Sequence, residues 1–218
     1  MTKPTLPSLK AISLTHVRYH KGDQLGHFLA WISLVPVFIS LAGFLSHFLF
    51  RRELQGVFFA LGLLFSQFCN GAVKISVKEA RPATCAILEI CDSHGWPSSH
   101  SQYMFFFATY FTLMSPKSFG RPFTAVIWLL ALLTLYSRVY LGYHTVGQVF
   151  AGALLGAFLG GLWFYIVNRL LVGYFPAIEE SWLGKMLYMK DTSHIQNILK
   201  FEYDNARDAR SNHTSKLD

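Results

Sequence analysis

GWPSSHSQYMFFF, residues 95–107, joins a turn of Gly, Pro, Ser and His directly to an apolar, aromatic run. The apolar half is fit for lipid, and the polar half places a titratable histidine at its edge. That junction reads as the start of a helix entering a membrane from a polar layer. The rest of the chain agrees. It is 52% hydrophobic and 14% charged, with 20 Phe, whereas a soluble globule carries about 25% charged residues. Its apolar residues fill windows of roughly twenty, the length of a helix that crosses a bilayer.

About five spans are expected, at about 28–50, 54–77, 98–114, 123–141 and 145–172, with polar breaks between them. The third is short and expected to extend by a turn. Residues 1–27 are polar and mixed and do not read as a signal peptide, so the first apolar run is expected to stay as a span. Residues 173–218 form a polar tail with a weak helical pattern. The organisation is thus an N-terminal segment (1–27), one transmembrane domain (28–172) and a tail (173–218). Gly152, Gly156 and Gly160 make a small-residue stripe that lets the fifth span approach a neighbour closely.

The net charge of +7 is dispersed beside spans and has no base-reading motif around it, which excludes nucleic acid as a partner. Cys69 lies in an apolar run; Cys85 and Cys91 share one polar loop, and either pairing or two free thiols fits their spacing.

Counting crossings puts the end of span two, the start of span three, the end of span four and the start of span five on one face. The unusual polar residues sit there too. Lys74, Lys78 and Arg81 share a helix face if the second helix persists that far. Interfacial cations ordinarily snorkel, so each taken singly says little. Ser99 with Gln102 matches a capping box, which makes the helix start near His100 an anion site. Arg138 precedes His144, and Gln148 lies four residues on, so its amide oxygen is placed to accept the Nδ1 hydrogen of His144. Together these residues suit phosphoryl transfer: cations and helix-start N–H groups hold the oxygens, one His attacks phosphorus and the other protonates the leaving oxygen. No acidic cluster stands nearby to hold magnesium, so metal-independent chemistry with no cofactor is expected.

Lys74-x6-Arg81-Pro82, Pro97-Ser98-Ser99-His100 and Ser137-Arg138-x5-His144 resemble, in order and spacing, the three signature motifs of the type 2 phosphatidic acid phosphatase superfamily. These are lipid phosphatases that share their site with vanadium haloperoxidases. Thr15-His16-Val17, Gly22-Asp23, the run Trp96–Gln102, Tyr143-His144-Thr145, Asp191-Thr192-Ser193 and Phe201-Glu202-Tyr203 resemble the dolichyl-diphosphatase subgroup and the related gamma-type plant enzymes. The resemblance implies an all-α bundle with His144 as the nucleophile and His100 as the acid. Lys74, Arg81, Arg138, Ser98 and Ser99 would bind phosphate, and Gln148 would orient His144. Two positions depart from the superfamily pattern: Ser99 stands where Gly is common, and Gln148 where Asp is usual. The implied reaction converts dolichyl diphosphate to dolichyl phosphate in the endoplasmic reticulum membrane, with a lumenal site. A phosphatidate phosphatase, in a plastid envelope for instance, is the alternative within the family. A non-catalytic lipid-binding protein is the alternative outside it. The partners are a polyprenyl or glycerolipid phosphate and the bilayer; no feature of the sequence sets an oligomeric state.

Overall fold

A computed structural model describes residues 9–11, 17–114 and 120–214. Two short antiparallel strands, β1 (Leu9–Ala11) and β2 (Arg18–His20), precede the helices. Among the described residues, four stretches are long and apolar enough to cross a membrane: Gln24–Phe44, Leu54–Val77, Arg121–Tyr140 and Val146–Glu180. The first comprises α1 (Gln24–Ile32) and α2 (Val35–Phe44); the next two contain α3 (Leu54–Val77) and α6 (Gly120–Tyr140). The last contains α7 (Val146–Tyr165) and α8 (Phe175–Glu180). A four-residue helix, α4 (Cys85–Leu88), lies in the loop after α3, and Cys85 and Cys91 of that loop form a disulfide.

Between the two helical pairs runs α5 (Ser99–Met114). Its 16 residues cover about 24 Å at 1.5 Å per residue, short of a full hydrocarbon layer. It is enclosed: Tyr103, Met104, Phe106, Ala108 and Tyr110 are all buried. The Phe-rich run therefore belongs to the bundle core rather than forming a wall against lipid. Phe59 of α3 packs against Phe106, Phe107, Tyr110 and Phe111. Lipid instead meets α3, α6 and α7, through exposed residues such as Leu64, Phe68, Leu129, Leu132, Leu154 and Phe158.

The glycine stripe of α7 faces α5. A Cβ at Gly152 or Gly156 would fall on the carbonyl oxygens of Ser98 and Gln102, and one at Gly160 would lie 2.7 Å from that of Phe106. Only glycine permits so close a backbone approach, and the approach carries the start of α5 against the start of α7.

Two predicted elements are interrupted. The span expected at about 28–50 breaks after Ile32, because Pro36 lacks an N–H and crowds the carbonyl four residues back. It also ends in a π-helical turn, Leu45–Arg51. The second span stops at Val77, where Lys78 turns left-handed (φ 54°) and bonds its N–H to Lys74 O. Lys78 and Arg81 therefore leave the helix face of Lys74, and Arg81 reaches the site from a loop.

At the far end, α9 (Trp182–Leu187) and α10 (Ile198–Thr214) dock on the span ends. Leu54 N–H bonds Lys190 O, Lys190 N–H bonds Arg52 O, and Arg51 pairs with Glu202 at 2.9 Å. Thr15, His16 and the connection at 115–119, with Lys117, lie outside the described residues.

Candidate active site

After α6 ends, Gly142 adopts a positive φ (75°), and the N–H groups of Tyr143 and His144 both fold back onto Arg138 O. This tight turn sets His144 immediately before α7. A capping box then starts α7: Thr145 Oγ1 accepts Gln148 N–H, and Gln148 Oε1 accepts Thr145 N–H, each at 3.2 Å. The same amide oxygen lies 3.1 Å from His144 Nδ1. His144 Nε2 lies 3.1 Å from Arg81 Nη1. A guanidinium only donates, so Nε2 holds a lone pair and Nδ1 the hydrogen. His144 is 3% exposed, and its pKa is pushed down to about 3 by burial first and then by the charges of Arg138 and Arg81. The ring is neutral at ordinary pH, as a nucleophile must be.

Arg138, on the last turn of α6, is 5% exposed. Its Nη1 donates to Ser33 Oγ at 2.6 Å and its guanidinium lies 3.9 Å over the Tyr143 ring, while Nε has no partner among the described residues. A buried charged donor left open is a place for an anion. The helix break at Ser33 is what turns that hydroxyl toward Arg138. Arg81 donates Nε to Ser93 O and Oγ (3.2 and 2.9 Å) and Nη1 to Tyr143 O (3.0 Å). The ammonium of Lys74, on the last turn of α3, makes no hydrogen bond or ion pair with any described residue. Its charge nevertheless acts on His144.

The third part is the start of α5. The first bond into this helix runs from Gln102 N–H to Ser98 O, so the N–H groups of Ser99, His100 and Ser101 precede the ladder. Ser98 is fully buried; its N–H bonds Gln148 O at 3.0 Å and its Oγ accepts from Ser101 at 3.3 Å. Ser99 Oγ donates to Asn70 Oδ1 at 2.7 Å. Gln102 does not complete the expected capping box. Its Oε1 accepts from Asn70 Nδ2 (2.6 Å), and its Nε2 donates to Ser66 O and Oγ (2.6 and 2.8 Å). His100 lines a cavity of about 280 Å³ with Ser99, Tyr103, Ser40, Gln67 and Val37. Val37 is exposed on the bundle surface, so the cavity that His100 lines opens there toward lipid. A larger hollow of about 410 Å³, formed by Tyr203, Arg207, Arg210 and Ser211 of α10 alone, belongs to the opposite face and meets none of these groups.

The structure thus brings Arg81, Arg138, Gln148 and His144 into direct or shared contact, with Ser98 joined to Gln148 through its backbone. It places Ser99 and His100 in the lining of the cavity. Sequence reasoning missed Ser33, Asn70 and Glu79, whose Oε1 accepts from Gln148 Nε2 at 2.8 Å. Pro36 marked the break beside Ser33, and Asn70 stood out as an amide inside an apolar span; Glu79 had no local signal. No group of three His, Cys, Asp or Glu suited to a metal ion occurs among the described residues.

A helical bundle that gathers cations, a neutral histidine and a helix start at one end of its spans defines a membrane protein with the donors to hold an anionic group. Comparison with known proteins gives that class its family. The profile of the PAP2 superfamily matches residues 55–171, and the chain belongs to that superfamily of phosphatases. It is 67% identical to lipid phosphate phosphatase gamma of Arabidopsis thaliana over 93% of each chain. It is 39% identical to dolichyldiphosphatase 1 of Dictyostelium discoideum, over 94% of this chain and 93% of that one. The crystal structure of a transmembrane PAP2 type phosphatidylglycerolphosphate phosphatase from Bacillus subtilis shares the fold (TM-score 0.58, 21% identity, 69% of this chain and 80% of that one).

Proposed function

We propose that this lipid phosphatase hydrolyses dolichyl diphosphate to dolichyl phosphate and inorganic phosphate through a phosphohistidine at His144. The carrying observation is the contact of His144 Nε2 with Arg81 Nη1 beside the open donor of Arg138. A terminal phosphoryl group entering there draws the Arg81 N–H onto its own oxygen, which bares the Nε2 lone pair. Lys74, Arg81 and Arg138 then surround the phosphoryl oxygens, with Arg offering paired donors. The N–H groups at Ser99 and the Ser98 hydroxyl add uncharged donors.

Nε2 attacks phosphorus, the anhydride P–O bond breaks, and His100 gives its proton to the departing lipid phosphate oxygen. His100, now neutral, takes a proton from water. The water oxygen displaces Nε2 from phosphorus, leaving inorganic phosphate and neutral His144. The cavity from His100 toward Val37 accommodates the start of the lipid tail, which never leaves the bilayer.

Full-length similarity to a dolichyldiphosphatase supports the polyprenyl substrate. The greater identity to a lipid phosphate phosphatase supports a second reading, phosphatidate hydrolysis to diacylglycerol. Purified protein offered dolichyl diphosphate, dolichyl phosphate and phosphatidate together separates the two: preferential loss of the diphosphate is expected, and preferential loss of phosphatidate overturns the first reading. The same release is expected in EDTA, since the phosphoryl charge is met by side-chain cations.

The disulfide loop lies on the site's own face, which supports an oxidising compartment there and hence a lumenal site in the endoplasmic reticulum. An Asp92→Cys variant in sealed microsomes should resist a membrane-impermeant thiol reagent until the membrane is opened. Labelling of intact microsomes would reverse the orientation.

A further inference from the structure

In the free enzyme Arg81 settles which nitrogen of His144 carries hydrogen, but the proposed reaction takes Arg81 away. We propose that Glu79 is a positioning residue that acts on His144 through the Gln148 amide and keeps the lone pair on Nε2 while substrate is bound. This role rests on the phosphatase reading above.

Gln148 is fully buried. Its Nε2 donates to Glu79 Oε1 and to Ala80 O, both at 2.8 Å, and its Oε1 accepts the Thr145 N–H at 3.2 Å. A carboxylate and a carbonyl have no hydrogen to give, and a backbone N–H has no lone pair to offer. The amide therefore has one orientation, with oxygen toward His144. An oxygen can only accept there, so Nδ1 must donate and Nε2 stays bare. The carboxylate makes the decisive contact a charge-assisted one.

The surrounding chain is shaped for this bridge. Gly95 N–H bonds Glu79 O at 2.8 Å, and a Cβ at Gly95 would lie 2.7 Å from Gln148 Cδ. The turn from Glu79 to Ala80, Gly95 and the start of α7 thus close on one amide. Gln148 in the place of the usual Asp is then no loss of the orienting carboxylate. The carboxylate has moved outward by one side chain, from the position that touches the ring to Glu79.

Exchanging the polarity of the bridge tests this in the full-length protein. Gln148→Glu sets an acceptor against Glu79 and Ala80 O, and kcat should fall at least about 100-fold with KM changed little. Adding Glu79→Gln restores a donor opposite the new carboxylate and should recover at least about tenfold. Glu79→Ala alone should lower kcat about three- to tenfold. Independently of turnover, ¹⁵N-histidine NMR with phosphate bound should show His144 with hydrogen on Nδ1, a signal assigned by its loss in His144→Gln. Glu79→Ala should mix the two ring forms. If the double variant is no better than Gln148→Glu, or if Glu79→Ala leaves the His144 signal unchanged, the role is overturned. Should Gln148→Glu fail to fold, the Glu79→Ala spectrum decides alone. A wild type that releases no phosphate overturns the phosphatase reading, and the spectrum still decides whether Glu79 sets the ring.

Discussion

Ser33→Ala removes one oxygen from a position with no overt link to phosphate, yet it should disable the site. Ser33 is fully buried and its hydroxyl accepts from Arg138 Nη1 at 2.6 Å. Nε of the same guanidinium already lacks a partner among the described residues. Without the hydroxyl, what holds the head group among the described residues is its stacking on Tyr143 at 3.9 Å. A hydrogen bond to a charged group contributes about 1.5–3 kcal/mol. Where the whole of it is expressed in the transition state, kcat/KM falls about 10- to 150-fold, at about 1.4 kcal/mol per decade. The assay is phosphate release from dolichyl diphosphate in mixed micelles, with Ser76→Ala as control, whose exposed hydroxyl donates to Ala72 O of its own helix. Ser33→Ala activity within twofold of the control would refute the reasoning that Ser33 holds Arg138 in place.

Gly156→Val should lower the unfolding temperature and abolish activity, since overpacking costs about 1–3 kcal/mol and the new Cβ falls on the Gln102 carbonyl; Gly71→Val, with open space around it, should do neither. Reduction, or Cys85→Ser with Cys91→Ser, should lower kcat/KM about three- to tenfold, because roughly a kcal/mol of loop order is lost. That loop is tied to β2 by Arg18–Glu89 (2.6 Å) and to the His144 turn by Thr84–Gly142 (2.5 Å); thiol labelling monitors the reduction. With the His144 pKa lowered from 6.5 to about 3, the folded state binds a proton less readily than the unfolded chain. Its contribution to stability is present above pH 6.5 and is lost as pH falls from there toward 3. Melting scans from pH 7 to 4 should fall less steeply in His144→Gln than in wild type, and an equal slope would count against this contribution.

Much of the bundle was legible because hydropathy reports what a bilayer demands. The run 54–77 coincides with α3, and the break at 78–97 falls on the loop that carries Arg81. Hydropathy does not say which apolar residues meet lipid and which meet one another, since a bilayer and a membrane-protein core are equally apolar. The Phe-rich run that ends at Phe107 was for that reason read as fit for lipid, whereas Phe106 lies inside. Local patterns misled where a distant partner competed. Ser99 and Gln102 have capping-box spacing, but Asn70 and Ser66 of α3 claim the Gln102 amide, and Thr145 with Gln148 forms the box instead. The i, i+4, i+7 pattern of Lys74, Lys78 and Arg81 failed at a single left-handed residue. Ser33, 105 positions from Arg138, and Glu79, 69 positions from Gln148, become neighbours only through packing. The His144–Gln148 pair was readable because its spacing is local.

Trapping of the covalent intermediate tests the central claim most directly. Wild-type protein mixed with dolichyl diphosphate labelled in its terminal phosphate, then quenched within milliseconds in alkali, should carry label on the peptide containing residue 144. His144→Ala should carry none and release no phosphate. Unimpaired phosphate release by His144→Ala, or label on any other residue, would contradict the account.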